Sequence, residues 1–267
     1  MPKPFISTRK FIKWGDAPAG EDTECVTPLR KSAGCHDLML AYSTLVLTTA
    51  GKHFVDIRIY LPRTPSEPCL PASSPLPISR LEWGFAGTSN PTPAAYAADG
   101  TIATPAHTVW THWVDSRTTA ETCDEGVMYP QASGETMEYG AMINPASGKE
   151  ETYEECWVDL EAGLVDGEDG LRSWVLRTED AEKGTRGVMA RVGRYAQAVL
   201  RRGGGEFGAA RWVWRDAEKG WESVVQIGSL DEDVPRGMLG AGDVKLGQTF
   251  EGSGGLQWSC VESFAWS

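Results

Sequence analysis

One pattern repeats along most of the chain and decides its fold class: a short run of β-branched and aromatic residues, then a turn marked by glycine or proline. Strand-forming runs are read at Ser7–Trp14, Ser43–Thr49, His53–Leu61 and Arg80–Phe85, and through Trp110. They recur at Thr152–Leu160, Ser173–Thr178, Gly187–Leu200, Ala210–Trp214, Trp221–Ile227, Gln248–Phe250 and Leu256–Ala265. The turns between the later runs carry Asp166-Gly167, Lys183-Gly184, Gly203 to Gly205, Lys219-Gly220 and Gly252 to Gly255. Such spacing, with hardly any amphipathic helical period, predicts an all-β chain of antiparallel barrels or sandwiches. Two barrels of roughly six to eight strands each account for the length. Asn144-Pro145-Ala146-Ser147-Gly148 is the best boundary between them, giving an N-terminal unit at 1–143 and a C-terminal unit at 150–267.

The run from His53 to Leu61 alternates. Val55, Ile57, Ile59 and Leu61 share one face, while Phe54, Asp56, Arg58 and Tyr60 share the other. An apolar face opposite a mixed aromatic and charged one suits a barrel wall, with either side as the interior. A hairpin turn is expected at Ala50-Gly51-Lys52. Prolines at 62, 65, 68, 71, 75 and 77 exclude a regular element from 62 to 78 and suggest a surface loop or flap. Gly87-Thr88-Ser89-Asn90-Pro91 reads as a turn, and the small residues from Pro93 to Pro105 as a loop.

Composition narrows the function. The formal charge of −12 disfavours nucleic acid or anionic membrane as partner, because either needs a basic face. Basic residues between Arg186 and Arg202 alternate with strand-like apolar ones and read as local ion pairing. No apolar run reaches the ~20 residues of a membrane span, and the N-terminus lacks the apolar core of a secretory signal. Six scattered cysteines without CxxC spacing read as free thiols. Eleven tryptophans exceed what a core of this size usually asks for, and serve either as ligand-stacking walls or as sheet core.

Familiar catalytic signatures are weak. Gly203 to Gly208 matches GxGxxG in letters, but no helix follows to hold a pyrophosphate, so a hairpin loop is read. Asp231-Glu232-Asp233 is a solvated loop. His107 and His112 fall on opposite faces of a strand, and Cys35-His36 are adjacent, so neither pair shares a metal ion. No GxSxG elbow is present. No metal and no cofactor are expected.

The densest chemistry lies between His107 and Pro130, where Trp110, His112, Trp113, Asp115, Arg117, Asp124, Glu125 and Tyr129 fall together. Trp110 and His112 share one strand face, Trp113 the other. Arg58, Asp56, Glu82, His112, Asp115, Arg117 and Tyr129 are the candidate polar groups of an aromatic cavity. A buried Arg58 needs an anion or stacked rings, and Asp56 or Glu82 would serve.

Several segments together resemble the fungal HRI-one family: Leu81-Glu82-Trp83-Gly84-Phe85-Ala86-Gly87-Thr88, Trp110 to Arg117, Asp124-Glu125-Gly126-Val127-Met128-Tyr129-Pro130, Gly187 to Leu200 with Val192-Gly193-Arg194-Tyr195, and Gly255-Leu256-Gln257-Trp258. The resemblance implies two lipocalin-like antiparallel barrels in tandem, a cytoplasmic or nuclear location, and interaction with a casein-kinase-I homologue. By analogy of fold with fungal hetero-Diels-Alderases, a cofactor-independent pericyclase is the other expectation. It would join a quinone methide or enone to a terpenoid alkene, its ligand being an aromatic polyketide or terpenoid. Phe54, Tyr60, Trp83, Phe85, Trp110 and Trp113 would then form the apolar walls. Arg58, His112 and Tyr129 would donate hydrogen bonds or act as acid, with the proline-rich loop as lid. The competing expectation is a non-catalytic interaction protein or a passive carrier, and an open or a filled barrel interior discriminates between them.

Overall fold

The computed structural model describes residues 2–16, 20–21, 42–228, 230 and 233–267. Most of the turn-rich stretch from Gly15 to Lys31, with Cys25, Cys35, His36, Asp231 and Glu232, lies outside them. The strands are β1 (Phe5–Trp14), β2 (Gly20–Glu21), β3 (Tyr42–Thr48), β4 (His53–Tyr60), β5 (Leu81–Thr92), β6 (Ala95–Tyr96), β7 (Ile102–Thr104), β8 (Ala106–Asp115) and β9 (Thr122–Pro130). They continue as β10 (Thr136–Ile143), β11 (Glu150–Leu160), β12 (Leu171–Asp180), β13 (Thr185–Val192), β14 (Tyr195–Arg201), β15 (Phe207–Trp214), β16 (Trp221–Ile227), β17 (Thr249–Glu251) and β18 (Gln257–Trp266). Short 3-10 turns at Ile78–Arg80 and Arg236–Gly240 are the only helical pieces among the described residues, and neither is long enough to cross a membrane.

Eight strands close into an antiparallel barrel in the order β1, β3, β4, β5, β8, β9, β10, β11, with β11 returning to pair with β1. The closing register runs from Ile6 opposite Leu160 to Trp14 opposite Tyr153. The stretch from Glu150 to Leu160 was expected to open the second unit, yet it is the last stave of the first barrel. Asn144 to Gly148 is the hairpin turn leading into it, closed by Asn144 N–H to Lys149 O at 2.8 Å. Without β11, β1 and β10 would each keep an unpaired edge, which is why the chain spends eleven more residues here.

The turn expected at 87–91 is also strand. β5 runs on to Thr92, and a bulge between Ala86 and Gly87 keeps it paired with β8. At Gly87 a Cβ would stand 1.8 Å from the Thr111 carbonyl oxygen, so glycine here permits a close backbone approach instead of reversing the chain. The loop from Pro93 to Pro105 carries the small β6–β7 hairpin.

The second unit is an antiparallel seven-stranded sheet, β16-β15-β14-β13-β12-β18-β17. The expected second barrel is thus an open sheet, and among the described residues no pairing joins β16 to β17. Closure is not needed to hide its surfaces. One face packs on the outside of the barrel, where Leu45, Leu47, Val55, Ile57 and Ile59 meet Val188, Ala190, Val192, Val199 and Val213 in one core. The other face buries Trp174, Trp212 and Trp258 under Leu230, Val234, Met238, Leu239 and Val244. The free edge of β16 is covered by the proline-rich segment: Leu76 N–H donates to Gln226 O at 2.7 Å, and Ala72 N–H to Val224 O at 3.2 Å. This segment, expected as a lid, seals a sheet edge.

Polar groups lock the two sheets. Gln197, fully buried, donates to the carbonyls of Leu45 and Val55, each at 2.9 Å, and accepts from Arg211. Arg211 in turn reaches Ser43 Oγ at 3.0 Å and Ile57 O at 2.9 Å. Glu262 on β18 accepts from Thr49 Oγ1, Gly51 N–H and His53 Nδ1 around the β3–β4 turn.

Candidate functional site

Packing of the apolar β4 face against the second sheet settles which side of that strand is inside. Phe54, Asp56 and Arg58 point into the barrel, and the strands around them add one inward side chain at every second position. The interior is filled by two interlocked groups.

The first is a column of rings. Trp83 and Phe85 lie 4.2 Å apart between centroids, and Phe85 stacks on the His112 imidazole at 4.4 Å. Phe54 meets Phe85 edge-on at 5.7 Å, and Val46, Trp110 and Met142 pack on this cluster while staying partly exposed.

The second is a charged network. Arg58 Nε donates to Asp56 Oδ2 at 2.9 Å and its Nη1 to Glu155 Oε1 at 3.1 Å. Arg9, with its side chain fully buried, bonds the same Glu155 oxygen at 2.5 Å and stands 3.4 Å from Glu82. Arg58 also lies 5.2 Å from the Trp83 ring centroid and 5.9 Å from that of Trp157. His112 is held at both nitrogens, by Asp115 at 2.7 Å and Asp124 at 3.2 Å, and Asp115 also accepts from Trp83 Nε1 and the Arg117 N–H. Tyr153 donates to Glu138 at 2.8 Å. Gly126 and Gly140 make room for that pair, since a Cβ would stand 2.5 Å from Glu138 at the first and 2.4 Å from the Tyr153 hydroxyl at the second.

Burial and neighbouring charge set the protonation of these groups. Burial lifts Glu138 to about 8, helped by the negative Glu155, so it is largely protonated at neutral pH. Burial also raises Asp56 to about 6 against the pull of Arg58, and its Oδ1 has no hydrogen-bond partner. Burial opposes the charge on His112, but the Asp115 and Asp124 carboxylates outweigh it and raise its pKa to about 9. Burial opposes the charge on Arg58 as well, and the Asp56 and Glu155 carboxylates overcome it, leaving its pKa well above the usual value. The interior therefore holds imidazolium and guanidinium groups matched to carboxylates, with Glu138 as a neutral acid.

The residues expected from the sequence divide. Phe54, Arg58, Trp83, Phe85, Trp110 and His112 are brought together inside. Tyr60 lies half-buried at the end of β4, with the Arg63 guanidinium 3.8 Å from its ring centroid. Trp113 and Tyr129 are not inside. Trp113 faces the second sheet, with Arg177 3.5 Å from its ring centroid, and Tyr129 is exposed on the outer wall. Alternation explains both: β8 sends His112 inward and Trp113 outward, and β9 sends Asp124, Gly126 and Met128 inward and Tyr129 outward. Arg9, Glu138, Tyr153, Glu155 and Trp157 were missed. The alternation of Tyr153, Glu155 and Trp157 was legible, but the strand carrying them was assigned to the wrong unit.

Elsewhere, the basic residues between Arg186 and Arg202 do form local pairs, Arg186 with Glu179 and Arg191 with Glu168. His107 sits outside the barrel, 3.2 Å from Glu125. Cys123, Cys156 and Cys260 are free thiols. A cavity of about 550 Å³ lies at one end of the second sheet, bordered by Glu179, Asp180, Lys183, Arg202 and Asp233.

In overall shape the chain is similar to the crystal structure of an uncharacterized protein from Saccharomyces cerevisiae, with a TM-score of 0.67 and 19% identity over 99% of this chain and 100% of that one. At that identity the likeness concerns the fold alone. No curated protein matches the chain. A family model described as Protein HRI1 matches residues 39–262.

Proposed function

The chain belongs to the HRI1 family, and on that premise we propose that it is a non-catalytic protein-interaction module whose outer surface, not its barrel interior, meets the partner. The observation that carries this reading is the filling of the barrel. Arg9, Arg58 and His112 are each bonded to carboxylates inside it, and Trp83, Phe85 and the imidazole stack on one another. A ligand entering there would have to break buried ion pairs, and removing one partner of such a pair costs about 3–5 kcal/mol. An interior of this kind gives rigidity to a wall that presents side chains outward.

A second reading keeps a small-molecule function, as carrier or as cofactor-independent pericyclase. It is favoured by the partial exposure of Val46, Trp110 and Met142 around the ring column, an apolar mouth where an aromatic or terpenoid ligand would rest. Arg58 or His112 would then have to exchange a carboxylate for the ligand's oxygen.

Native mass spectrometry of the full chain isolated under mild conditions separates the two. The first reading expects a retained protein partner and no species of a few hundred daltons. A small organic molecule that is retained, and is lost in Trp110→Ala, overturns it in favour of the second.

A further inference from the structure

We propose that the outward face of β9 and β10 is the docking surface of this module, and that its occupant is a cationic peptide segment with apolar anchors, carried by a partner protein. This rests on the interaction reading above and gives it a place and a chemistry. A closed barrel has no strand edge to offer, so a partner that meets the barrel must lie across a face. The outer faces of β3 and β4 are already buried under the second sheet. β9 and β10 are apolar where alternation would put polar residues: Tyr129 is 37% exposed, Tyr139 39% and Ile143 57%. The two tyrosine rings meet edge-on at 5.7 Å, and Val127, Tyr129, Gln131 and Tyr139 line an open groove of about 530 Å³. Tyrosines presented in this way give large contact area at low entropic cost, which suits the anchor pockets of an interface.

The rim gives the sign of the occupant. Glu125, with 69% of its side chain exposed, lies on the same outward face as Val127 and Tyr129. Glu154 stands opposite Tyr139 and Glu150 opposite Ile143 across the β10–β11 pair. Lys13, bonded to Glu154, Lys10, bonded to Glu135 in the β9–β10 turn, and Lys149 are cations beside them, His107 stands 3.2 Å from Glu125, and the whole chain carries −12. Such a rim attracts lysine and arginine flanking an apolar anchor and repels anionic headgroups and nucleic acid. It also disfavours a second copy of this chain, because a two-fold contact would set the acidic rim of one copy against that of the other.

The test uses the full chain and a fluorescein-labelled synthetic peptide of alternating leucine and lysine, titrated by anisotropy at low and high salt. Binding is expected to weaken with salt and to fall at least tenfold in Tyr129→Ser/Tyr139→Ser and in Glu125→Lys/Glu150→Lys. It should be nearly unchanged in Glu182→Lys/Glu218→Lys, which makes the same charge change on the second sheet. Equal losses in all three variants, or none in the first two, overturn the proposal. Hydrogen exchange of the unmutated chain with the peptide provides a readout independent of variant folding. Protection of 125–129 and 137–143 supports the site, and protection confined elsewhere removes it while leaving the interaction reading intact. That broader reading fails separately, on retention of a small molecule in the barrel.

Discussion

Glu138 is a residue whose chemistry is set by its surroundings. Its carboxyl titrates near 4.5 when solvated and at about 8 inside the barrel. A raised acid costs nothing below the unfolded value, and its penalty then grows until the folded value is passed. This group therefore lowers stability as pH rises from about 4.5 to 8. Glu138→Gln keeps the shape and cannot ionise. In urea unfolding it should match the native chain near pH 4.5 and exceed it by about 2 kcal/mol or more at pH 8.5. A constant difference between the two at every pH would dismiss this account. His112 acts in the same direction, since its raised pKa gives stability that is complete below 6.5 and lost as pH passes about 9. Arg58→Met leaves Asp56 and Glu155 short of a buried partner, and should cost about 3–5 kcal/mol at neutral pH, measured by the same unfolding curves. A loss below about 1 kcal/mol would mean that the network is far more hydrated than its burial indicates.

Among the elements, β11 carries the most consequence. It pairs with β10 along Thr136 to Ile143 and with β1 along Ile6 to Trp14, so it converts a curled sheet into a barrel. It also brings Tyr153, Glu155 and Trp157 to the interior. A fragment ending at residue 143 would expose both seams and leave Arg9, Arg58 and Glu138 without their partners from this strand. Its circular dichroism should show no cooperative thermal transition. A cooperative melt from that fragment would mean that the first seven staves suffice, and that β11 is an addition to a barrel already stable.

The whole molecule is tied by a core that belongs to both sheets. Val55, Ile57 and Ile59 on the barrel wall and Val188, Ala190 and Val192 on the sheet bury one another, and each valine or isoleucine contributes roughly 1.5–3 kcal/mol. Gln197 and Arg211 pass through the same layer to backbone carbonyls of β3 and β4. Calorimetry should therefore show one unfolding transition for the entire chain. Arg211→Met should lower its midpoint by about 5–10 °C, because the unsatisfied groups at the junction weaken both sheets together. Two resolved transitions, with only one shifted by the substitution, would show the units to be thermodynamically independent.

The sequence by itself determined whatever depends on neighbours along the chain. Period-two alternation set the strands and split His53–Tyr60 into an apolar and a mixed face. Turn chemistry placed the hairpin at Ala50 to Lys52, and strand geometry put Trp110 with His112 and apart from Trp113. The tertiary structure alone decided what depends on partners distant in sequence. It turned the mixed face of β4 inward, because a second sheet lay ready to bury the apolar one. It carried the strand at Glu150–Leu160 back to β1, and let β5 run through its glycine because β8 approached so closely there. It left Tyr129 and Tyr139 on the outside, where no element of the described chain covers them. Alternation is a local property of the backbone, but which face counts as inside is fixed only by what packs against it.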